Sequence, residues 1–168
     1  MGQNEATRYR ERRNKAMIMD YQTTYNEAME KLAEAQKCQD EIVGCNHELQ
    51  QVNDIMNTTS SPQYYYQLKE QRGKLAYQID KQTKDRDKKL NEALSKALDL
   101  ADDETDKKVF NSDSLGGQAM EAIFSYTVLQ DIHWQSSLDV KAKTSKIIAK
   151  GVNSFIQFLN QQRMLGNL

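Results

Sequence analysis

Apolar and small side chains return every three or four residues from Tyr21 to Met56, through Tyr25, Ala28, Leu32, Ala35, Cys38, Ile42, Cys45, Leu49 and Val52. This spacing holds a narrow stripe on one side of an α-helix, and a stripe that long is stable only against another helix. The rhythm breaks once, at Leu32, Ala35 and Cys38, where two three-residue steps follow each other. Such a stammer overwinds a coiled coil locally and makes the partner helix shift its packing. A helix of this kind suits protein binding better than it suits an active site.

Chain breakers are scarce. One proline, Pro62, and seven glycines in 168 residues predict long helices joined by few turns and speak against a strand-rich fold. The first helix is expected from Asn4 to about Asn57. The run Asn57-Thr58-Thr59-Ser60-Ser61-Pro62 then reads as a turn, with Ser61 as N-cap and Pro62 in the first helical position. A connection this short returns the second helix, Gln63 to about Asp103, antiparallel to the first. Its seam passes through Tyr65, Leu68, Leu75, Ile79, Leu90, Leu94 and Ala97, but Arg72, Gln82 and Arg86 fall at or near seam positions. Two readings fit these polar residues. They are a specificity device, or a place where another chain supplies contacts; alternatively, the arginine stems cover the seam and carry their charges out to water.

These elements divide the chain into a hairpin over 1–103, an acidic and glycine-containing linker over 104–117, and a C-terminal helical region over 118–168. Leu115, Ala119, Met120, Ile123, Phe124, Thr127, Ile132 and Trp134 form the most apolar face of the chain, with Trp134 read as a lid on a small core. Residues 124–129 carry enough β-formers to suit a short strand, although Gln118 to Ala122 before them favours a helix. A last helix, from about Ser137 to Met164, carries Leu138, Ala142, Ile148, Val152, Phe155, Ile156 and Leu159, with Ile147 and Phe158 widening the stripe. The expected fold class is all-α, a long antiparallel coiled-coil hairpin followed by a shorter C-terminal helical pair. Leu32, Ile42, Leu49, Leu75 and Ile79 are the expected stability positions.

The net charge of −1 conceals segregated blocks. Arg8, Arg10, Arg12, Arg13 and Lys15 are basic, Asp99, Asp102, Asp103, Glu104 and Asp106 are acidic, and Lys141, Lys143, Lys146 and Lys150 are basic again. Such blocks attract one another within a chain or between chains, or are simply the solvated faces of amphipathic helices. Carboxylates interrupt the basic runs, which argues against nucleic acid as a partner.

Chemistry-bearing patterns are lacking. His47 and His133 are the only histidines, neither has a glutamate three residues before it, and Cys45 and His47 point to different faces of a helix. Cys38 and Cys45 lie roughly 10 Å apart along one helix, too far for a mutual disulfide, and read as small seam residues. An in-register dimer would leave a bridge between copies open. Gly116-Gly117 lacks the lysine of a phosphate loop, and the acidic run lacks the glycine and spacing of a calcium loop. No catalytic, cofactor-binding or metal-binding residue is assigned, and the chain reads as a non-enzyme. Nor does any apolar stretch approach a membrane span, and the N-terminus lacks the apolar run of a signal peptide. Ala6 stands where a myristoylation signal wants Ser or Thr. The partner-binding candidates are Tyr64 and Tyr66 at the hairpin turn, since aromatic rings give large contact area at low entropic cost, and Phe155, Ile156 and Leu159, since the last helix is amphipathic.

The stretch Leu115-Gly116-Gly117-Gln118-Ala119-Met120-Glu121-Ala122-Ile123 and the pattern that follows it to Leu168 resemble the C-terminal helical region of bacterial type III secretion filament and needle-tip subunits. That resemblance implies a leaderless chain made in the cytoplasm and exported without a cleaved signal, assembly by coiled-coil packing of terminal helices, and a secretion chaperone as a partner. The expected function is a non-catalytic structural or interaction protein that assembles through coiled-coil helices. The alternative is a helical adaptor or chaperone that holds a partner chain in a groove between the hairpin and the C-terminal helices.

Overall fold

The computed structural model describes residues 2–151 and Gln157, with the side chains of 2, 3 and 11–19 left aside. Among these residues the chain forms four helices and no strand: α1 (Gly2–Thr58), α2 (Pro62–Asp106), α3 (Leu115–Leu129) and α4 (Leu138–Ala149). The protein is all-α, with α1 and α2 forming a long helical hairpin and two shorter helices following. It has two compact units, Leu32–Leu90 and the remainder, Met1–Lys31 with Asn91–Leu168. No described helix is long and apolar enough to cross a membrane.

The unit Leu32–Leu90 contains the chain reversal. Thr58 Oγ1 donates to the carbonyls of Asp54 and Ile55, which satisfies acceptors at the end of α1. Ser61 Oγ then accepts from the backbone N–H of Tyr64 at 3.3 Å, and Pro62 opens α2 where its missing N–H costs nothing. Val52 and Met56 of α1 pack with Leu68 and Leu75 of α2, and Cys45 and Leu49 lie against this cluster half-buried. Leu32 and Ile42 are also buried, whereas Ile79 is half-buried. The hairpin is antiparallel here, because Gln39 meets Arg86 while Glu34, earlier in α1, meets Lys89, later in α2. Tyr65 departs from its expected place in the seam and is 39% exposed. Leu68 takes the first inward position of α2 opposite Met56, and α1 ends two residues later, so Tyr65 has no helix to pack on.

The stammer resolves into a polar layer. Cys38 is half-buried, while the neighbouring Gln39 turns inward with 7% exposure and Arg86 faces it with 9%. Arg86 Nη1 donates to Gln39 Oε1 at 2.9 Å, and its Nε and Nη2 donate to Asp87 Oδ1 at 3.0 and 2.8 Å. The arginine therefore does not carry its charge out to water; it is held inside by a partner on the other helix and a carboxylate beside it. Burial pushes the Cys38 thiol up from its ordinary pKa, and the charges of Asp85 and Glu41 add to that shift, which leaves it a poor nucleophile. Arg86→Met should cost about 1–3 kcal/mol in urea unfolding, since Gln39 is then buried without its donor. The double variant Gln39→Leu with Arg86→Met should recover most of that loss, because an apolar pair replaces a polar one without orphaned groups.

In the other unit, Lys31 pairs with Glu92 at 3.4 Å, Lys96 with Glu27 at 2.6 Å, and Lys107 Nζ donates to the Tyr21 hydroxyl at 2.6 Å. The order again descends α1 as it ascends α2. Ala93, Ala97 and Ala101 of α2 are fully buried, so small side chains let neighbouring helices come close. Around them Leu94, Leu98, Met120, Ile123, Phe124 and Ile147 are nearly or completely removed from solvent.

Helix α3 replaces the alternative strand over 124–129. Ser114 caps its N-terminus, and at its far end Asp131 takes a left-handed φ of 53° while the Ile132 N–H reaches the Thr127 carbonyl at 2.8 Å. That closure tucks Ile132 into the core, as a Schellman ending does. Only 107–114 of the stretch 104–117 lie outside helices.

Helix α4 differs from its expected form in length and rotation. It ends at Ala149, with Gly151 at φ 69°, so the helix expected over 137–164 is interrupted. Val152, Phe155, Ile156, Phe158 and Leu159 lie outside the described residues. Leu138 is 84% and Ile148 42% exposed, whereas Ile147 is fully buried. The reason is an electrostatic zipper with α2: Lys143 pairs with Asp99, Lys146 with Asp102, and Lys150 with both Asp102 and Asp106. Residue numbers rise together on the two helices, so α4 runs parallel to α2. Asn91 fixes the start of this arrangement, accepting from the Ser137 N–H at 2.9 Å and donating to the Gln135 carbonyl at 3.2 Å. Burial acts to raise the Asp102 pKa, but hydrogen bonds from Lys150 and Lys146, aided by their charges, outweigh it and hold the carboxyl below its ordinary range.

Candidate functional site

Aromatic side chains gather where the hairpin turns. Tyr64, Tyr65 and Tyr66 occupy the first turn of α2 because Pro62 and Ser61 start the helix immediately before them. They are 44%, 39% and 67% exposed, and Ile55 near the end of α1 is 40% exposed. The rings of Tyr65 and Tyr66 meet edge to face, with centroids 5.9 Å apart. Such packing limits the motion of a ring pair without burying it. Of the expected partner-binding residues, Tyr64 and Tyr66 are thus on the surface at the tip, and Phe155, Ile156 and Leu159 lie outside the described residues.

A second feature was not legible in the sequence. Helices α2, α3 and α4 enclose a half-open cavity of about 460 Å³, with Leu94, Leu98, Met120, Phe124, Val140 and Ile148 as its apolar wall. Ser136, Lys141, Thr144 and Ser145 supply its polar lining. Lys141 and Ser145 are four apart on α4, and that spacing is the only sequence signal that joins them. Trp134 lies half-buried beside this region, its ring stacked on Phe124 with centroids 6.5 Å apart, in keeping with its reading as a lid.

The corner between α2 and α3 carries a buried acid. Glu104 is 3% exposed, and its Oε1 accepts from the Gly116 backbone N–H at 2.7 Å. Burial raises the Glu104 pKa above its ordinary value, against the opposing hydrogen bonds from Ser114 and Gly116. A carboxyl whose folded pKa is raised adds stability that is complete below the unfolded value of 4.5 and lost as pH rises through the folded value. The urea midpoint of the wild type relative to Glu104→Gln should therefore rise as pH is lowered from 7 towards 4.5. Constant separation between the two midpoints would contradict this assignment.

The two histidines lie on the surface, His47 against Gln51 at 3.3 Å and His133 against Asp131 at 3.0 Å. Among the described residues no group of three or more His, Cys, Asp or Glu side chains is placed to hold a metal ion. Comparison with protein-family models, with curated proteins and with solved structures finds no match.

Proposed function

We propose that the chain is a non-catalytic structural or interaction protein that assembles through its helices, with the tyrosine tip as a contact surface. The observation that carries this reading is the exposure of Tyr64, Tyr65 and Tyr66 together at the end of the hairpin. Large aromatic rings left in water at one place represent contact area that a partner can cover, and tyrosine is among the residues that dominate interface energies. The long seam supports the same reading, because a helix with so long and narrow an apolar stripe suits protein binding. The finer reading, a filament or tip component of a secretion apparatus, has the sequence resemblance behind it and makes further copies of the chain the first partner to test.

Light scattering across a wide concentration range provides that test, together with electron microscopy of the most concentrated sample. Mass that climbs with concentration is expected, and Tyr64→Ser with Tyr66→Ser should reduce it while leaving helical content intact. A monomer at every concentration would remove the self-assembly reading.

A further inference from the structure

The cavity among α2, α3 and α4 has the composition of a ligand site. Its volume of about 460 Å³ falls in the range of small-molecule pockets, roughly 300–1,000 Å³, and its wall is apolar with a few polar groups. Lys143, Lys146 and Lys150 are all paired with carboxylates, whereas the exposed Lys141 amine has no ion-pair partner among the described residues. The Ser136 and Ser145 hydroxyls likewise have no hydrogen-bond partner there, while the Thr144 hydroxyl is spent on the Val140 carbonyl at 2.8 Å.

A cation and two hydroxyls beside an apolar wall match a molecule with one anionic head and a hydrocarbon body. We propose that this cavity binds a medium-chain fatty carboxylate, its chain against Leu98, Phe124, Val140 and Ile148 and its head at Ser136, Lys141 and Ser145. The apolar wall removes the hydrocarbon from water, and the lysine and hydroxyls donate charge-assisted hydrogen bonds to the carboxylate. Decyl alcohol loses the charge and decylamine reverses it, so both should bind more weakly. The site shares no residue with the tyrosine tip.

Trp134 reports on occupancy, because it is the only tryptophan of the chain and stacks on a wall residue. Titration of the full chain with decanoate, kept below its micelle concentration, should give a saturable change in tryptophan fluorescence. Lys141→Glu should weaken that binding about tenfold or more, the scale of one charge-assisted hydrogen bond, and Ile148→Asp should abolish it, each with an unchanged far-ultraviolet circular dichroism spectrum. The Tyr64→Ser, Tyr66→Ser variant should bind decanoate as the wild type does, which separates this site from the assembly surface. Lack of a saturable change, a signal confined to micellar concentrations, equal binding of decylamine, or full binding by Lys141→Glu would each overturn the proposal. A cavity filled by an apolar segment of a protein would show itself as the first of these.

Discussion

Phe124→Ala is expected to lower the unfolding free energy by about 3–5 kcal/mol, the range for removing a buried aromatic ring. Phe124 is 2% exposed on α3, so the loss combines the ring's transfer to water with the space left behind. The site adds two local aggravations. It already borders a cavity, so the variant enlarges an existing void, and Trp134 loses the ring on which it stacks. Chemical denaturation followed by Trp134 fluorescence and by circular dichroism would measure both effects. A red-shifted tryptophan in the native baseline should accompany the stability loss, and a cost under about 1 kcal/mol would show that the ring is not held as described.

A comparable loss should come from adding one carbon atom at the start of α3. A Cβ on Gly117 would stand 2.0 Å from the Asn111 carbonyl oxygen, and one on Gly116 would stand 2.2 Å from Glu104 Oε1 and 2.9 Å from the backbone nitrogen of Ala101. At Gly117 the obstacle is backbone, which a side-chain rotation cannot relieve; at Gly116 the nearest obstacle is the buried Glu104 carboxylate, with the Ala101 backbone behind it. Asn111 is itself fixed, since its Oδ1 accepts from the N–H groups of Asp113 and Ser114 at 2.8 and 2.9 Å. Overpacking commonly costs about 1–3 kcal/mol, and Gly117→Ala should reach the upper end because the turn and the α3 N-cap must move together. Gly44→Ala serves as the control: nothing lies within 4 Å of a Cβ there, and alanine is the better helix former, so it should be neutral or stabilising.

The hairpin was legible because it is written locally. The three-four rhythm places Ala28, Leu32, Ala35, Ile42, Val52 and Met56 inside, and Ser61-Pro62 marks the reversal without reference to any distant residue. The polar interruption at Arg86 was visible as well, but its partner was not. Gln39 lies off the apolar stripe, and only the opposing helix reveals that the stammer turns it inward. Helix α4 differs in rotation for a related reason: Leu138 and Ile148 look like core on hydropathy alone, whereas the three lysines paired to α2 accompany an inward Ile147. Gly116 and Gly117 are assigned to the linker on sequence, whereas they stand in the first turn of α3, and their need for close approach depends on Glu104 and Asn111 folding back on them. The tyrosine tip could be named from sequence, since it follows a turn directly. The cavity could not, because it draws on three helices whose mutual placement is not encoded in any one of them.

The Gln39–Arg86 layer also sets a length. With the two helices locked in one register, the stem from Arg86 to Pro62 spans roughly 36 Å at 1.5 Å per residue. The tip's reach from that layer is therefore a property of residue count rather than of side-chain chemistry. Removing one seven-residue repeat from both strands of the stem would shorten it by about 10 Å while leaving the aromatic cap and the polar lock unaltered. If the cap is the contact surface proposed above, distance as well as ring chemistry selects what it touches, as a ruler with a marked zero selects where its far end falls.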